Sequence, residues 1–531
     1  MSDALKSPVF TREATGLTRA LSAKDVLMFN LVNMGFPFIF TLTYFAASLY
    51  QGIDFSLSTI IALPAVLSIA LLYYMLAKTF PRAGGDYVWV SRLIHPAIGF
   101  MVSFAIFVFM LAFVGAVGAS VMLFGLSTIF LNLSYVSGNT IYLNLASQVT
   151  TSSAVLLNNI IILAIILLAA SFQLKRTFRF MWILLGVEAL GLLTFIIAML
   201  GAGPIGFQAA FNTHSGASWQ AIIDAANKSG LMTTFTGSGT LLGIAYVFLA
   251  YTGFWFSSYL GGEVKRAGES QFLGIVGSVI VYAGVAFALS TIIYYVFGAQ
   301  FFNAASLLAG LGSPNYTLPS PPVASFLVIF ATPNPLVAIL VPLAVIAAIV
   351  GSLQSLFVTT VRIVFAWSFD RVLPEKFSQL GGSGTPIYAL ALVGLVALVH
   401  IVSYTFAPSI LTVYSYGTSG MFMAISFVGI AATIFPYRRD DLFAQATPPA
   451  NKRIVGIPII SILGLIVALV GVLIAYSAAA PAFTGTAVNA QYLVFVALVF
   501  LAGLVVYGVS YCIRKRQGID LSMILKTIPP E

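Results

Sequence analysis

Long apolar runs, separated by shorter polar segments, fill most of the chain. A helix that crosses a membrane needs about 20 consecutive, mostly apolar residues. Twelve segments meet that requirement, and we number these predicted spans 1 to 12 in chain order. They cover residues 25–50, 55–79, 97–128, 155–173, 180–201, 239–261, 271–298, 335–367, 386–405, 410–435, 457–478 and 490–513. The pattern predicts an all-α integral membrane protein.

Composition and periodicity exclude two other classes of protein. Hydrophobic residues make up 60% of the chain and charged residues 7%, so no soluble fold could bury this much apolar surface. Closed β-barrels also span membranes, but these runs do not alternate between apolar and polar residues as barrel strands do. Residues 1–24 are polar and charged, and they predict a cytoplasmic tail rather than a cleavable signal peptide.

Basic residues are distributed asymmetrically along the predicted topology. Of the 24 lysines and arginines, 23 fall in the two tails or beside the connections after even-numbered spans, and only Lys228 falls on the other side. Cytoplasmic connections carry an excess of Lys and Arg, so we expect a plasma-membrane protein with both termini in the cytoplasm. The net charge of +9 therefore reflects topology in a lipid bilayer and does not indicate a nucleic-acid partner.

Three connections on the opposite side are long, nearly uncharged and rich in Ser, Thr, Asn and Gly. They are residues 129–154, 202–238 and 299–334. Each carries one Asn-x-Ser/Thr triplet, at Asn132, Asn227 and Asn315. Such triplets mark N-glycosylation acceptors in exported loops, and they also arise by chance in segments of this composition.

Spans 1 and 6 share a feature that weakens a membrane helix at its centre. Span 1 contains Asn-Met-Gly-Phe-Pro at 33–37, and span 6 contains Thr-Gly-Phe at 252–254. Glycine permits unusual backbone conformations, and proline removes a hydrogen-bond donor. Interrupted helices at matching positions of two halves point to a transporter with inverted repeats. A single glycine in a membrane helix is also common as a packing residue.

Three longer motifs resemble the amino acid–polyamine–organocation (APC) superfamily. They are FPRAGGDYVWVSRLIHPAIGF at 80–100, FLAYTGFWFSSYLGGEVKRAGES at 248–270, and the stretch from Arg362 to Pro386. The resemblance covers about residues 20–436 and implies a leucine-transporter-like fold of two inverted five-helix repeats. The implied core is 25–436, with repeats 25–201 and 239–435. The last two predicted helices, within 437–513, match the superfamily only in kind, and residues 514–531 read as a short cytoplasmic tail.

The resemblance also implies a substrate site, where the carboxylate and amine of an amino acid or amine would meet the open backbones of helices 1 and 6. Carried over by position, its residues are Asn33, Met34, Gly35, Phe36, Ala250, Tyr251, Thr252 and Gly253, with Tyr251 or Trp255 closing over the substrate. Two positions depart from the family pattern. Helix 1 often has Gly-x-Gly where this chain has 33–35, and helix 6 often has an acid where Trp255 stands.

Glu188 is the only one of the 15 acidic residues that lies well inside a predicted span. A charge at mid-membrane costs roughly 2.5–3.5 kcal/mol on insertion scales, which makes such a residue a functional candidate. In the related fold this helix passes near an ion site. Glu188 is therefore expected to carry a proton, or to complete a sodium site with Ser352 and Ser355. A protonated or hydrogen-bonded packing residue is an equally good interpretation.

Arg362 lies near the inner end of span 8. We expect it to pair with Asp86, Glu263 or Asp370 as a gate at the inner face, and a plain topology charge is the alternative.

The chemistry along the chain favours a carrier. The spans contain no cluster of acids, His or Cys, and the sequence has no metal-ligand spacing and no phosphate-binding glycine loop. An enzyme, a metal, a cofactor or an ATP-driven pump is therefore not indicated. We expect a secondary transporter that imports amino acids by alternating access, coupled to protons. Sodium-coupled or exchange transport of amines or polyamines is the alternative, and a channel or membrane-embedded enzyme is the alternative from another class.

Cysteine labelling tests the predicted topology. In a Cys512→Ser background, Lys228→Cys and Lys515→Cys should react with a membrane-impermeant reagent from opposite sides, because the charge bias places them on opposite faces. Equal labelling of both positions from outside would contradict this topology.

Overall fold

A computed structural model of the chain describes residues 16–406, 417–479 and 490–521. These residues fold into helices joined by short turns, and a small antiparallel hairpin pairs β1 (Arg453–Ile454) with β2 (Ile457–Pro458). Residues 1–15 and 522–531 of the predicted tails, and the start of span 10 at 410–416, lie outside the described residues.

The helices are numbered in chain order. The first nine are α1 (Ala23–Met34), α2 (Ile39–Leu49), α3 (Phe55–Thr79), α4 (Asp86–Leu93), α5 (Pro96–Ser120), α6 (Ser127–Ser137), α7 (Ile141–Val149), α8 (Ser152–Ser171) and α9 (Leu174–His214). The next eight are α10 (Trp219–Lys228), α11 (Gly237–Ala250), α12 (Ala267–Gln271), α13 (Ser278–Phe297), α14 (Ala299–Gly310), α15 (Ala324–Ala331), α16 (Pro335–Phe369) and α17 (Ile387–Phe406). The last four are α18 (Gly417–Arg438), α19 (Asp440–Phe443), α20 (Ile459–Ala479) and α21 (Ala490–Arg516).

Shorter turns connect several of these helices. Two π-helical turns, Val121–Leu126 and Phe272–Gly277, join α5 to α6 and α12 to α13. The 3-10 turns are Phe36–Phe38, Phe256–Tyr259, Gly261–Glu263 and Glu375–Ser378.

Eleven helical segments in the described ranges are long and apolar enough to cross a membrane. Predicted span 6 is the exception, because its apolar helix α11 has only 14 residues. The prediction of an all-helical, multi-pass membrane protein is thus confirmed. Length and composition alone do not reach the predicted count of twelve, because span 6 is interrupted.

Both predicted interruptions are present in the backbone. α1 ends at Met34, Gly35 adopts a φ of +57°, and a 3-10 turn containing Pro37 leads into α2. Span 6 is interrupted over a longer stretch. After α11 the chain turns at residues 251–255, where Gly253 adopts a φ of +102°. The segment after this second interruption contains 3-10 turns, and α-helix resumes only at Ala267.

Polar side chains define where several spans begin. Ser22 and Asp25 form a capping box at the start of α1. Asp54 accepts a hydrogen bond from the Leu57 backbone N–H at the start of α3, at 3.0 Å. Asn334 caps α16 in the same way, ahead of Pro335 at the first helical position. These caps satisfy N–H groups that a helix start otherwise leaves without partners.

α16 is the central helix of the fold. It runs for 35 residues and packs against α1, α5 and α9. The last two spans lie beside this bundle, since α20 packs on α18 and α21 packs on α5. The interruptions in α1 and α11 are thus held against a long, continuous helix.

The three long, nearly uncharged connections at 129–154, 202–238 and 299–334 contain helices that their composition did not indicate. α9 continues past the predicted end of span 5 and bends at Gly203, while α10, α14 and α15 occupy much of the remaining length. Trp219 of α10 stacks on Phe301 of α14, with ring centroids 5.6 Å apart. Aromatic packing of this kind organises segments that read as polar connections in the sequence.

The first Asn-x-Ser triplet has a structural role. Asn132 is fully buried in α6, and its Nδ2 donates a hydrogen bond to the Ser325 carbonyl at 3.0 Å. Asn227 and Asn315 are exposed. The three triplets are therefore not equivalent, because an acceptor for glycosylation has to lie in an exposed loop.

Candidate functional site

The two interrupted helices meet at one point. Nδ2 of Asn33, next to the end of α1, donates a hydrogen bond to the Thr252 carbonyl, at 3.1 Å. A Cβ atom built on Gly253 would lie 1.4 Å from that same Nδ2 atom. Only glycine therefore fits at this position, both for its positive φ and for the close approach of Asn33.

Helix ends at this point leave backbone groups open. An α-helix leaves its last four carbonyl groups without partners in the regular helical pattern, and here the N–H groups of Gly35, Tyr251 and Thr252 turn back to the Leu31, Val247 and Leu249 carbonyls. Helix C-termini carry a partial negative charge and N-termini a partial positive charge. Such a pair of interruptions can bind the amine and the carboxylate of one small molecule.

A cavity of about 240 Å³ lies beside the interruptions. Five of the predicted site residues line it, namely Asn33, Met34, Ala250, Thr252 and Ser352. Pockets for drug-sized ligands enclose roughly 300–1,000 Å³, so this cavity suits a smaller solute.

The rest of the cavity wall is largely apolar. α5 and the π-helical turn after it contribute one stripe, and α16 contributes the opposite stripe. The members are Phe113, Val117, Ser120 and Phe124 on the first side, and Val345, Ile349, Leu353 and Leu356 on the second. No charged side chain is among the described residues that line the cavity. The walls therefore suit an apolar group, while the helix ends suit a polar one.

Five of the nine residues predicted to bind the substrate lie outside the cavity wall, namely Gly35, Phe36, Tyr251, Gly253 and Trp255. Gly35 and Gly253 shape the backbone of the interruptions, and the Tyr251 hydroxyl donates to the Thr59 carbonyl at 3.3 Å. Trp255 is fully buried, with its ring centroid 6.0 Å from that of Tyr73.

Phe36 packs outside the cavity, and three other aromatic residues, Phe45, Phe124 and Tyr246, line it. The Phe36 ring stacks on Tyr282 at 5.7 Å. Phe45 lies at the end of the cavity farther along α2, where its ring centroid is 5.5 Å from that of Phe124 and 6.4 Å from that of Tyr246. The sequence did not single out Phe45, Phe124 and Tyr246, because the segments that carry them are largely apolar and show no periodic signal of the face that meets the cavity.

Glu188 is fully buried and faces the first interruption. It lies close to the backbone N–H of Phe36, although neither carboxylate oxygen makes a hydrogen bond of good geometry with the described residues. On the other side, a Cβ atom built on Gly351 of α16 would lie 3.8 Å from its Oε1. The carboxyl group thus sits between the interruption and the central helix.

The two serines predicted to act with Glu188 lie nearby on α16 in different settings. Ser352 follows Gly351 and lines the cavity. Ser355 is buried, and its hydroxyl donates to the Phe29 carbonyl of α1 at 3.4 Å. The structure therefore brings Glu188 and α16 together, with Ser355 engaged by α1.

The residues predicted as an inner gate form two separate buried ion pairs. Arg362 makes a bidentate contact with Glu263, with both N–O distances 3.0 Å. Asp370 pairs with Arg92 at 2.7 Å and 2.9 Å. Removing one partner of a buried ion pair costs about 3–5 kcal/mol, because the remaining charge is left uncompensated. The Glu263 pair ties the segment after α11 to α16.

Asp86 is the exception among the predicted gate residues. It is fully buried, and neither carboxylate oxygen has a hydrogen-bond partner of good geometry in the described part of the chain. Burial raises the pKa of Asp86 to about 7, against the lowering effect of the nearby Tyr259 and Tyr73 hydroxyls and of backbone N–H groups at the start of α4.

A buried amide network links α1 to the segment after the second interruption. Asn30 Nδ2 donates to Ser257 Oγ at 3.0 Å and to the Gly274 carbonyl at 2.8 Å, and the Ser257 N–H donates back to Asn30 Oδ1 at 3.0 Å. Gln271 completes the network through Ser257. These neutral groups satisfy one another, so α1 and the end of span 6 are held together without charge.

Two comparisons with known proteins bear on this site. The sequence-family model described as amino acid permease matches residues 26–500. The branched-chain amino acid permease BcaP of Lactococcus lactis subsp. cremoris (strain MG1363) is 23% identical over 456 residues, which are 84% of this chain and 88% of that permease. Both interruptions and the whole cavity wall lie inside the range that the family model matches.

Substitution of Gly253 tests whether the interruptions form the binding site. We expect Gly253→Leu to lower substrate affinity more than about 100-fold, or about 2.8 kcal/mol, because the added side chain would displace Asn33. Gly284→Leu on α13 is the matched control, since nothing lies within 4 Å of a Cβ atom at that position. Affinity is measured by isothermal titration on purified protein of normal size-exclusion profile. Unchanged affinity in Gly253→Leu would remove the interruption from the site.

Proposed function

Because the chain belongs to the amino acid permease family, we propose that it is a secondary active transporter that imports neutral amino acids with apolar side chains. Transport proceeds by alternating access and is coupled to protons. The observation that carries this proposal is the cavity, whose polar end is made of helix termini and whose described wall is largely apolar and carries no charged side chain. The ammonium and carboxylate groups meet the helix termini, and the side chain meets the walls.

The proposed substrate class rests on charge and on kinship. A polyamine or a cationic amino acid would need a carboxylate in the wall, and no acidic residue is among the described lining residues. The name of the Lactococcus relative refers to branched-chain amino acids. Valine, leucine and isoleucine have apolar side chains of a size that suits a cavity of about 240 Å³.

The proposed fold is the leucine-transporter-like arrangement with twelve spans. In this assignment α11 and the turns after it form span 6, so the two interruptions fall in the first helix of each five-helix repeat. α20 and α21 form the two extra spans. Both termini lie in the cytoplasm of a plasma-membrane protein, as the distribution of basic residues indicates. A carrier, rather than a channel or an enzyme, agrees with the family.

The Glu263–Arg362 pair and the N-terminal segment close the inner side in this proposal. The N–H groups of Ala20 and Leu21 both donate to the Glu263 carbonyl at 2.9 Å, and the Lys265 N–H donates to the Leu21 carbonyl at 2.9 Å. The segment after the second interruption is therefore held from two sides. Substrate release to the cytoplasm requires these contacts to separate.

Glu188 is the proposed carrier of the coupled proton. A carboxyl group binds and releases a proton without other partners, and this one lies close to both the first interruption and the central helix. A change of charge there acts on the two elements that must move relative to each other. A sodium site involving Ser352 and Ser355 is the alternative, and it predicts a different ion dependence.

Uptake into proteoliposomes tests the substrate class. We expect leucine, isoleucine and valine to be taken up saturably and to compete with one another. Lysine, glutamate and putrescine should not compete at 10-fold excess, because the described cavity wall offers no counter-charge. A 10-fold excess compensates for about 1.4 kcal/mol of weaker binding. Saturable uptake of putrescine without leucine uptake would overturn the assignment, and a lack of counterflow would argue against a carrier.

The Glu188→Gln variant tests proton coupling. Glutamine imitates the protonated shape but cannot titrate, so this variant should retain exchange of substrate across the membrane and lose accumulation driven by a pH gradient. Glu269→Gln is the control, because the Glu269 side chain is 78% exposed. A variant that keeps pH-driven accumulation would assign Glu188 to packing. Dependence of wild-type uptake on sodium, weakened in the variant, would favour the sodium site.

A further inference from the structure

Asp86 lies at a seam between three elements. It begins α4, in the connection after span 2, while Tyr73 belongs to α3 and Tyr259 to the segment after the second interruption. The carboxyl group and the hydroxyls of Tyr73 and Tyr259 are all buried beside one another, without a partner of good geometry among the described residues. A buried carboxylate without a counter-ion is costly, so this placement calls for an explanation.

Backbone contacts hold the same seam closed. The Gly84 N–H donates to the Tyr259 carbonyl at 3.1 Å, and Ala83 bridges to Leu260 in antiparallel register. The segment beyond them carries Glu263, which pairs with Arg362. Asp86 is therefore built into the closure of the inner side.

Among the described residues, the groups that act on Asp86 are neutral. Tyr73 faces it from α3 and Tyr259 from the segment after α11, and the backbone N–H groups of Asp86 and Tyr87 face it from α4 itself. The nearby ion pair of Arg92 with Asp370 acts on the Tyr87 side chain of the same helix. Tyrosine hydroxyls can donate to a carboxylate or accept from a carboxylic acid, so this environment accommodates either state of the carboxyl group.

We infer that Asp86 is a proton-binding site of the inner seam, protonated while the seam is closed and ionised once the seam opens to water. The inference rests on the proposed transport function and deepens it, because it assigns a proton-binding residue to the contacts that close the cytoplasmic side. It also separates Asp86 from the gate ion pairs, which hold the same surfaces together by charge.

The direction of the effect follows from linkage. In the closed seam the pKa of Asp86 is about 7, above its ordinary value of 3.8. Protonation therefore stabilises the closed seam. This stabilisation is fully present at pH values below 3.8 and is lost as the pH rises through about 7. An acidic surrounding keeps the inner side closed, and an alkaline cytoplasm favours opening and release of the proton.

Hydrogen–deuterium exchange on the full-length protein measures this opening directly. The amide hydrogens of Gly84 and Lys265 are bonded across the closed inner side, so they exchange when it opens. After correction for intrinsic exchange rates, we expect their protection to fall about tenfold between pH 6 and pH 8. Asp86→Asn imitates the neutral carboxyl and should hold high protection throughout this range.

Two further variants keep the test decisive. Tyr259→Phe removes a hydroxyl that lowers the pKa of Asp86, so its loss of protection should shift to higher pH even if Asp86→Asn does not fold. Glu269→Gln is the matched surface control and should follow the wild type. Wild-type protection that does not change with pH, or an Asp86→Asn variant that follows the wild type, would overturn the inference.

The exchange experiment needs no amino acid and no gradient. A failure of leucine uptake would therefore count against the proposed function and leave the seam result intact. Conversely, Glu188→Gln should keep the pH response of the seam. If that variant abolished the response while Asp86→Asn preserved it, the proton of the inner side would belong to Glu188 and the inference would be wrong.

Discussion

Backbone groups inside a bilayer have no water to bond with, so an interrupted helix must find its partners within the protein. α1 and α11 meet this constraint together, because the Asn33 amide donates to the Thr252 carbonyl. The contact fixes how the two open helix ends approach each other. The cavity lies beside this contact, and the continuous helix α16 lines the cavity and packs against α1 and against the 3-10 turns that follow the two interruptions.

The buried acidic residues fall into two groups. Glu263 and Asp370 each pair with an arginine, whereas Asp86 and Glu188 are buried without such a partner among the described residues. Paired charges hold surfaces in a single arrangement, since separating them leaves both uncompensated. A lone carboxyl group responds instead to the proton supply around it. In the proposed mechanism, the ion pairs hold the closed arrangement, and the lone carboxyl groups change their charge with pH.

The sequence located the spans and both interruptions because each rests on local chemistry. Twenty apolar residues predict a membrane helix wherever they occur, and Gly253 with its positive φ is the residue type that such a turn requires. The sequence did not predict the helices in the three long, nearly uncharged connections. Their apolar contacts, such as Trp219 on Phe301, join segments far apart in the chain. The composition of a single segment carries no information about such contacts.

The sequence by itself determined that this protein crosses the membrane many times, that spans 1 and 6 are interrupted, and which family motifs accompany them. Only the tertiary structure decided that Arg362 pairs with Glu263, that Asp86 faces two tyrosines, and that Phe124 rather than Trp255 lines the cavity. The physical reason is the uniform apolar character of the spans. A helix that is hydrophobic on every face carries no periodic signal of which face meets the cavity, so the choice is made by packing between helices.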